Sequence, residues 1–115
     1  LILSKNKHYY LILILLIFHK TIPLYNSNLE VVMFDVGEAD SMLISTPSKK
    51  VNILIDTGRG IDINNIIIYL KSIGISKLNY LIITHGDEDH IGGALYLIDN
   101  FKVDNVILNK GDYTI

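Results

Sequence analysis

The sequence predicts a layered α/β domain, in which helices cover a sheet of mixed strands (α/β or α+β). Three observations point there. Strand-length runs of apolar and β-branched residues recur from Leu29 to Asn109. Between them, "DINNIIIYLKSIG" spaces its apolar residues as a helix does. After an initial group of strands, the order becomes strand, helix, strand, helix, strand, the pattern of helices layered on a sheet.

The elements follow in order. Residues 1–28 form a separate unit. Its apolar stretch runs from Tyr9 to Phe18 behind Lys5 and Lys7. Ten residues fall short of the about 20 that span a bilayer as a helix. A charged start and an apolar middle fit a signal peptide or an uncleaved anchor. No small-x-small cleavage site follows, so the end of a membrane helix and an ordinary buried segment stay open beside it. The first two readings place the chain at a membrane or beyond it, secreted or membrane-associated. "PLYNSN" then acts as a linker.

Residues 29–115 form the domain. "LEVVMFDV" and "DSMLIST" read as strands, "PSKK" as a solvated turn bearing Lys49 and Lys50, and "VNILIDTG" as a third strand that ends at Gly58. The second and third strands form a hairpin. In the helix, Ile63, Ile66, Ile67, Leu70 and Ile73 make the apolar face. Asp62 is its expected N-cap and Gly74 its stop. "KLNYLIIT" is apolar nearly throughout, which suits a central strand covered on both faces. "GGALYLIDN" reads as a short helix. "VDNVIL" reads as a last strand, and the expectation is a longer domain that continues past Ile115.

Composition narrows the chemistry. The 115 residues make about one domain, with 50% hydrophobic residues to fill a modest core. The net charge of -2 shows no basic nucleic-acid surface. A bound metal can still supply positive charge locally for a nucleic-acid substrate. There are no cysteines, which excludes disulfides, thiolate metal sites, a thiol nucleophile and a lipoprotein anchor.

The densest chemistry is "THGDEDHIGG", residues 84–93. It stands just past a buried strand, where open α/β sheets place their ligands. His85, Asp87, Asp89 and His90 offer imidazole nitrogen and carboxylate oxygen, which suit zinc, manganese or iron. A loop can turn four such residues toward one centre. Gly86 permits unusual backbone angles beside His85, and Gly92 and Gly93 let the backbone pass close to a metal or substrate. Glu88 points to solvent.

These residues resemble the H-x-H-x-D-H signature of the metallo-β-lactamase fold, with Asp87 where most members carry the second His. That departure is similar to one branch, the ComEC-type competence (DNA internalisation) proteins. "FDVGEADSMLI" resembles that branch's D-V-G-Q-G-D-S element, with Glu38 and Ala39 in place of Gln and Gly. A positive backbone dihedral at Ala39 would be strained. "ILIDTG" and "YLKSIGISKLNYLIITH" also match, and the resemblance covers roughly Leu29 to Asn109.

The resemblance implies an αββα sandwich, truncated here to about its first half. It implies a metal-dependent hydrolase with two divalent ions, zinc or manganese, about 3.5–4 Å apart. His85 and Asp87 would bind one ion, Asp89 and His90 the other, and Asp89 would also orient the attacking water. The carboxylate of Asp87 shifts preference from zinc toward manganese or magnesium. The family's later ligands, a His, a bridging acidic residue and a final His, would fall beyond residue 115, so the chain alone is expected to be inactive. His8 and His19 lie in the N-terminal segment and cannot replace them.

Asp56 and Asp40 are candidates to hold a ligand histidine by its other ring nitrogen. Asp56 is equally a turn residue of "DTG", and Asp40 and Asp35 favour bonding to loop backbone. Ser41 is expected to bond backbone, and Thr84 and Tyr80 read as sheet residues. The branch implies a phosphodiester substrate, single-stranded DNA at the cell surface during DNA uptake, although spacing alone fits a β-lactam or thioester equally. The alternative is a non-catalytic module serving assembly or binding in a membrane complex.

Overall fold

The computed structural model describes residues 2–21 and 27–111. Its elements are α1 (Ile2–Thr21), β1 (Glu30–Met33), β2 (Met42–Ser45), a 3-10 turn (Pro47–Lys49), β3 (Asn52–Ile55), α2 (Ile63–Ser72), β4 (Lys77–Ile83), α3 (Glu88–Ile91), α4 (Ala94–Asn100) and β5 (Lys102–Leu108). The expected linker, residues 23–28, lies outside the described residues except at Ser27 and Asn28.

One five-stranded sheet has the order β1-β2-β3-β4-β5. The first three strands pair antiparallel, because short connections return the chain directly. The last three pair parallel, because α2 and then α3 with α4 carry the chain back across. The expected β2–β3 hairpin is present, with Met42 opposite Ile55 and Ser45 opposite Asn52.

Register sets the core. Val32, Leu43, Leu54 and Leu81 face one another across four strands. Leu43, Leu54 and Leu81 are fully buried against Ile63, Ile66, Ile67 and Leu70 of α2 and Leu97 of α4. Burying each such side chain stabilises the fold by about 1.5–3 kcal/mol. Leu54→Ala would open a cavity at the centre of this row and cost about 2–5 kcal/mol.

The neighbouring row contains Val31, Ile44, Ile53, Tyr80 and Asn105. Val31 is 54% and Tyr80 38% exposed. β4 is central, as expected, but only one of its faces is covered by the described helices. The apolar run therefore reported a strand's position in the sheet and overstated its cover.

Three local expectations are also corrected. Asp62 precedes α2 but makes no side-chain cap; its backbone carbonyl accepts from Asn65 and Ile66 instead. Lys49 is not solvated: its side chain is 8% exposed and its Nζ lies 3.0 Å from Glu30 Oε2. Ala39 escapes strain because Gly37 takes the positive φ of that loop, +66°. Gly74, at φ +83°, ends α2 as expected.

In α1, residues Tyr9 to Phe18 are each 45–68% exposed. Among the described residues, no helix is long and apolar enough to cross a membrane.

Candidate metal centre

Parallel pairing sets the ends of β3, β4 and β5 side by side, and one polar residue follows each. Asp56 follows β3, Thr84 follows β4 and Asn109 follows β5. The Asp56 carboxylate accepts the Thr84 backbone N–H at Oδ1 (2.8 Å) and the Thr84 hydroxyl at Oδ2 (2.7 Å). The Asn109 side-chain amide donates to the Thr84 carbonyl. The antiparallel β2 starts at the same edge, opposite Ile55, and so brings Asp40 and Ser41 to the site.

Asp56 is 3% exposed and sits at φ +58°. Asp visits this left-handed region more readily than bulkier residues do. Its backbone is held on both sides: the N–H donates to Ile82 O (2.8 Å), and the carbonyl accepts the buried Ser41 hydroxyl (3.0 Å). Ser41 thus bonds backbone, as expected.

The charged segment is not one loop. His85 lies in irregular chain after β4, and Asp89 and His90 lie on the single turn of α3, where His90 N and Ile91 N donate to Asp87 O. Three further bonds moor that turn: the Thr57 N–H and hydroxyl both donate to His90 O (2.8 and 3.0 Å), and Asp40 N donates to Asp89 O (3.2 Å).

The result is that His85, Asp89 and His90 each offer a ligand atom within 4.8 Å of the others. The two imidazoles lie with ring centroids 3.7 Å apart. Donors about 2.0–2.2 Å from one ion in a tetrahedral shell sit roughly 3.4 Å apart. Asp89 Oδ2 and His90 Nε2 are separated by 3.4 Å. The donor set of two nitrogens and a carboxylate oxygen therefore fits a divalent cation in both spacing and chemistry.

Asp87 stands apart from that triplet. Its side chain is 78% exposed, with Oδ2 3.4 Å from His85 Nε2. Glu88 is exposed to solvent, as expected. Asp56 approaches His90 Nδ1 at 2.9 Å, the placement expected of a group that holds a ligand ring. Asp40 does not share that placement. Its Oδ2 lies 3.7 Å from His90 Nε2, on the ring nitrogen that faces the cation position, because the β1–β2 loop reaches the site from the open side.

Electrostatics favour a cation here. Burial of the His90 ring works to lower its pKa. The hydrogen bond to Asp56 and the charges of Asp56, Asp89 and Asp40 outweigh burial, so the imidazole sits above its ordinary value. A ring so surrounded by carboxylates is stabilised by positive charge, whether proton or metal.

The glycines differ from expectation. Gly86 is not among the glycines with positive φ. A Cβ on Gly92 would lie 2.5 Å from Glu88 O and 3.0 Å from Gly60 N, and one on Gly93 would lie 2.6 Å from Ile63 Cβ. Within the chain, the close approach that these two glycines permit is to the α3 turn, the β3–α2 loop and α2.

Thr84 is the residue that sequence reading missed. In the sequence it reads as a sheet residue, yet its hydroxyl joins Asp56 to His85 Nδ1 (3.0 Å). Its position directly before His85 was the available signal.

A mixed sheet with an imidazole–carboxylate cluster beyond its parallel strands defines an α/β protein whose cluster could hold a metal ion. The model of the metallo-beta-lactamase superfamily matches residues 34–114, and the chain belongs to that superfamily. It is also similar to ComE operon protein 3 of Bacillus subtilis (strain 168), with 34% identity over 105 residues. That match covers 77% of this chain and 14% of the relative, so the chain spans about a seventh of the relative's length. The relative is ComEC-type, the branch that the motifs resemble.

Proposed function

We propose that this chain carries part of the metal centre of a hydrolase that cleaves phosphodiesters, with DNA handled at the cell surface as the substrate. Membership of a generally hydrolytic superfamily supports the reaction class. The ComEC-type resemblance supports the substrate. The observation that carries the reading is the convergence of His85, Asp89 and His90 within 4.8 Å.

His85, Asp89 and His90 would hold one divalent ion, and Asp87 and Asp40, each within 3.7 Å of a ligand-ring Nε2, stand where they can complete the binding of that ion or of a second. When bound, such ions supply Lewis acidity toward the phosphoryl oxygens and a nucleophilic water near neutral pH. The chain's own residues do the rest. Asp56 holds His90, Thr57 anchors the turn that carries Asp89, and Asp89, 40% exposed, would accept a proton from the attacking water. The exposed Tyr9–Phe18 stretch of α1 would associate the protein with a membrane surface.

The test has two arms. Manganese and zinc binding to the chain is measured by calorimetry, with Asp89→Asn as the control. Hydrolysis of a bis-aryl phosphodiester and of single-stranded DNA is measured on the protein at its native length, with a β-lactam and a thioester as competing substrates. Metal bound by the wild type and weakened at least tenfold in Asp89→Asn is expected, as is turnover of the phosphodiesters alone. A chain that binds neither ion overturns the metal centre. Metal binding with turnover only of the β-lactam or thioester overturns the substrate.

A further inference from the structure

We infer that Thr84 and Asp56 together set both histidines of the triplet in one tautomer, with hydrogen on Nδ1 and the Nε2 lone pair presented to the cation position. The inference rests on the reading that His85 and His90 are ligands, and it names the positioning residues that make them so.

The argument is a count of hydrogens. The buried Asp56 carboxylate has none to give; it can only accept. The single hydroxyl hydrogen of Thr84 therefore goes to Asp56 Oδ2, at 2.7 Å. By the same logic the contact between His90 Nδ1 and Asp56 Oδ2, at 2.9 Å, requires a hydrogen on Nδ1. Thr84 Oγ1 has then spent its hydrogen and can only accept from a second neighbour. That neighbour is His85 Nδ1, at 3.0 Å. His85 must also carry its hydrogen on Nδ1.

A neutral imidazole carries one ring hydrogen, so both Nε2 atoms keep their lone pairs. Those atoms face carboxylates at 3.4–3.7 Å rather than hydrogen-bond donors. In water the opposite tautomer, with hydrogen on Nε2, predominates for histidine. A His85 left to itself would thus present its N–H to the metal. One carboxylate acts directly on His90 and, through the Thr84 hydroxyl, on His85. The rigid backbone clamp on Asp56, by Ile82 and Ser41, keeps that relay in register. Thr84 is accordingly a positioning residue that touches neither substrate nor ion.

Long-range nitrogen–proton NMR spectra read ring tautomers directly and need no metal. They are recorded on the metal-free protein at its native length at about pH 9, above the ordinary imidazole pKa of about 6.5. The exposed His8 serves as the reference for an unconstrained ring. In the wild type, His85 and His90 both show hydrogen on Nδ1, whereas His8 shows it mainly on Nε2. Thr84→Ser keeps the pattern. Thr84→Val, which removes only the hydroxyl, returns His85 to the His8 pattern, leaves His90 unchanged, and weakens zinc or manganese binding 10–100-fold. Hydrogen on Nε2 of His85 in the wild type overturns the inference, even if Thr84→Val fails to fold. A His85 signal unmoved in a folded Thr84→Val variant overturns it as well. Both rings with hydrogen on Nδ1 in a chain that binds no metal would uphold the relay and overturn the metal reading instead.

Discussion

Asp56 and His90, 34 positions apart in the chain, meet through a 2.9 Å contact between Oδ2 and Nδ1. The same carboxylate serves Thr84 twice. Removing it breaks three bonds in a buried place. Asp56→Asn keeps the shape and tolerates the positive φ, but its amide cannot accept all three hydrogens. We expect a loss of about 1–3 kcal/mol in denaturant unfolding, together with weakened metal binding. An equally stable variant with unaltered affinity would show that the carboxylate is incidental.

Asp89 and Asp87 are two positions apart and differ sharply in placement. Asp89 belongs to the converging triplet, and Asp87 is 78% exposed outside it. Asp89→Asn should therefore weaken binding of the first ion at least tenfold, and Asp87→Asn less than threefold, by calorimetry. Equal losses would mean that the two carboxylates share the first ion.

Gly93 packs where a methyl group would meet Ile63 Cβ at 2.6 Å and Thr57 O at 3.1 Å. Gly93→Ala should push α2 from the turn that carries His90. The expected cost is about 1–3 kcal/mol in thermal or denaturant unfolding. A neutral substitution would show that the two helices move apart freely.

The Asp104 carboxyl receives a 2.6 Å hydrogen bond from Lys77 on the adjacent strand. That bond, opposed by burial and assisted by the charges of Lys77 and Lys102, holds its pKa below the ordinary carboxylate value. A depressed folded-state pKa stabilises the fold at pH above the unfolded value of about 3.9 and loses that effect as pH falls through the folded value. The stability gap between wild type and Asp104→Asn should be constant above about pH 5 and close below about pH 4. A gap that is independent of pH would refute the pairing.

β5 is an edge of the described sheet, and its Val106, Ile107 and Leu108 are 44–45% exposed. Val31, Met33 and Tyr80 add to the uncovered face. Long apolar edges template pairing between chains. The 115-residue chain alone should associate at micromolar concentration in light scattering, and Ile107→Lys should reduce it. A monodisperse, cooperatively melting monomer would contradict this.

Much of this architecture was readable from near neighbours in the chain. Ile63, Ile66, Ile67 and Leu70 stated the buried face of α2 by their spacing alone. Strand-length apolar and β-branched runs, with the turn residues between them, located the strands and the β2–β3 hairpin. The order His85, Asp87, Asp89, His90 behind an apolar strand marked a candidate metal centre, and the structure brings His85, Asp89 and His90 of that set together. These are properties of residues a few positions apart.

What the sequence could not decide were contacts that depend on register between strands. Asp56 reaches Thr84 across 28 positions and His90 across 34 only because β3 and β4 pair in parallel with Ile55 beside Ile82. The same pairing made Thr84 part of the site, placed Asp40 on the open side of His90, and turned Gly92 and Gly93 toward the β3–α2 loop. It also left Tyr80 half-exposed in a strand that reads as fully buried. Periodicity reports which face of an element is apolar, whereas the fold alone decides what comes to lie against that face, since long-range pairing energy is shared by all the strands at once.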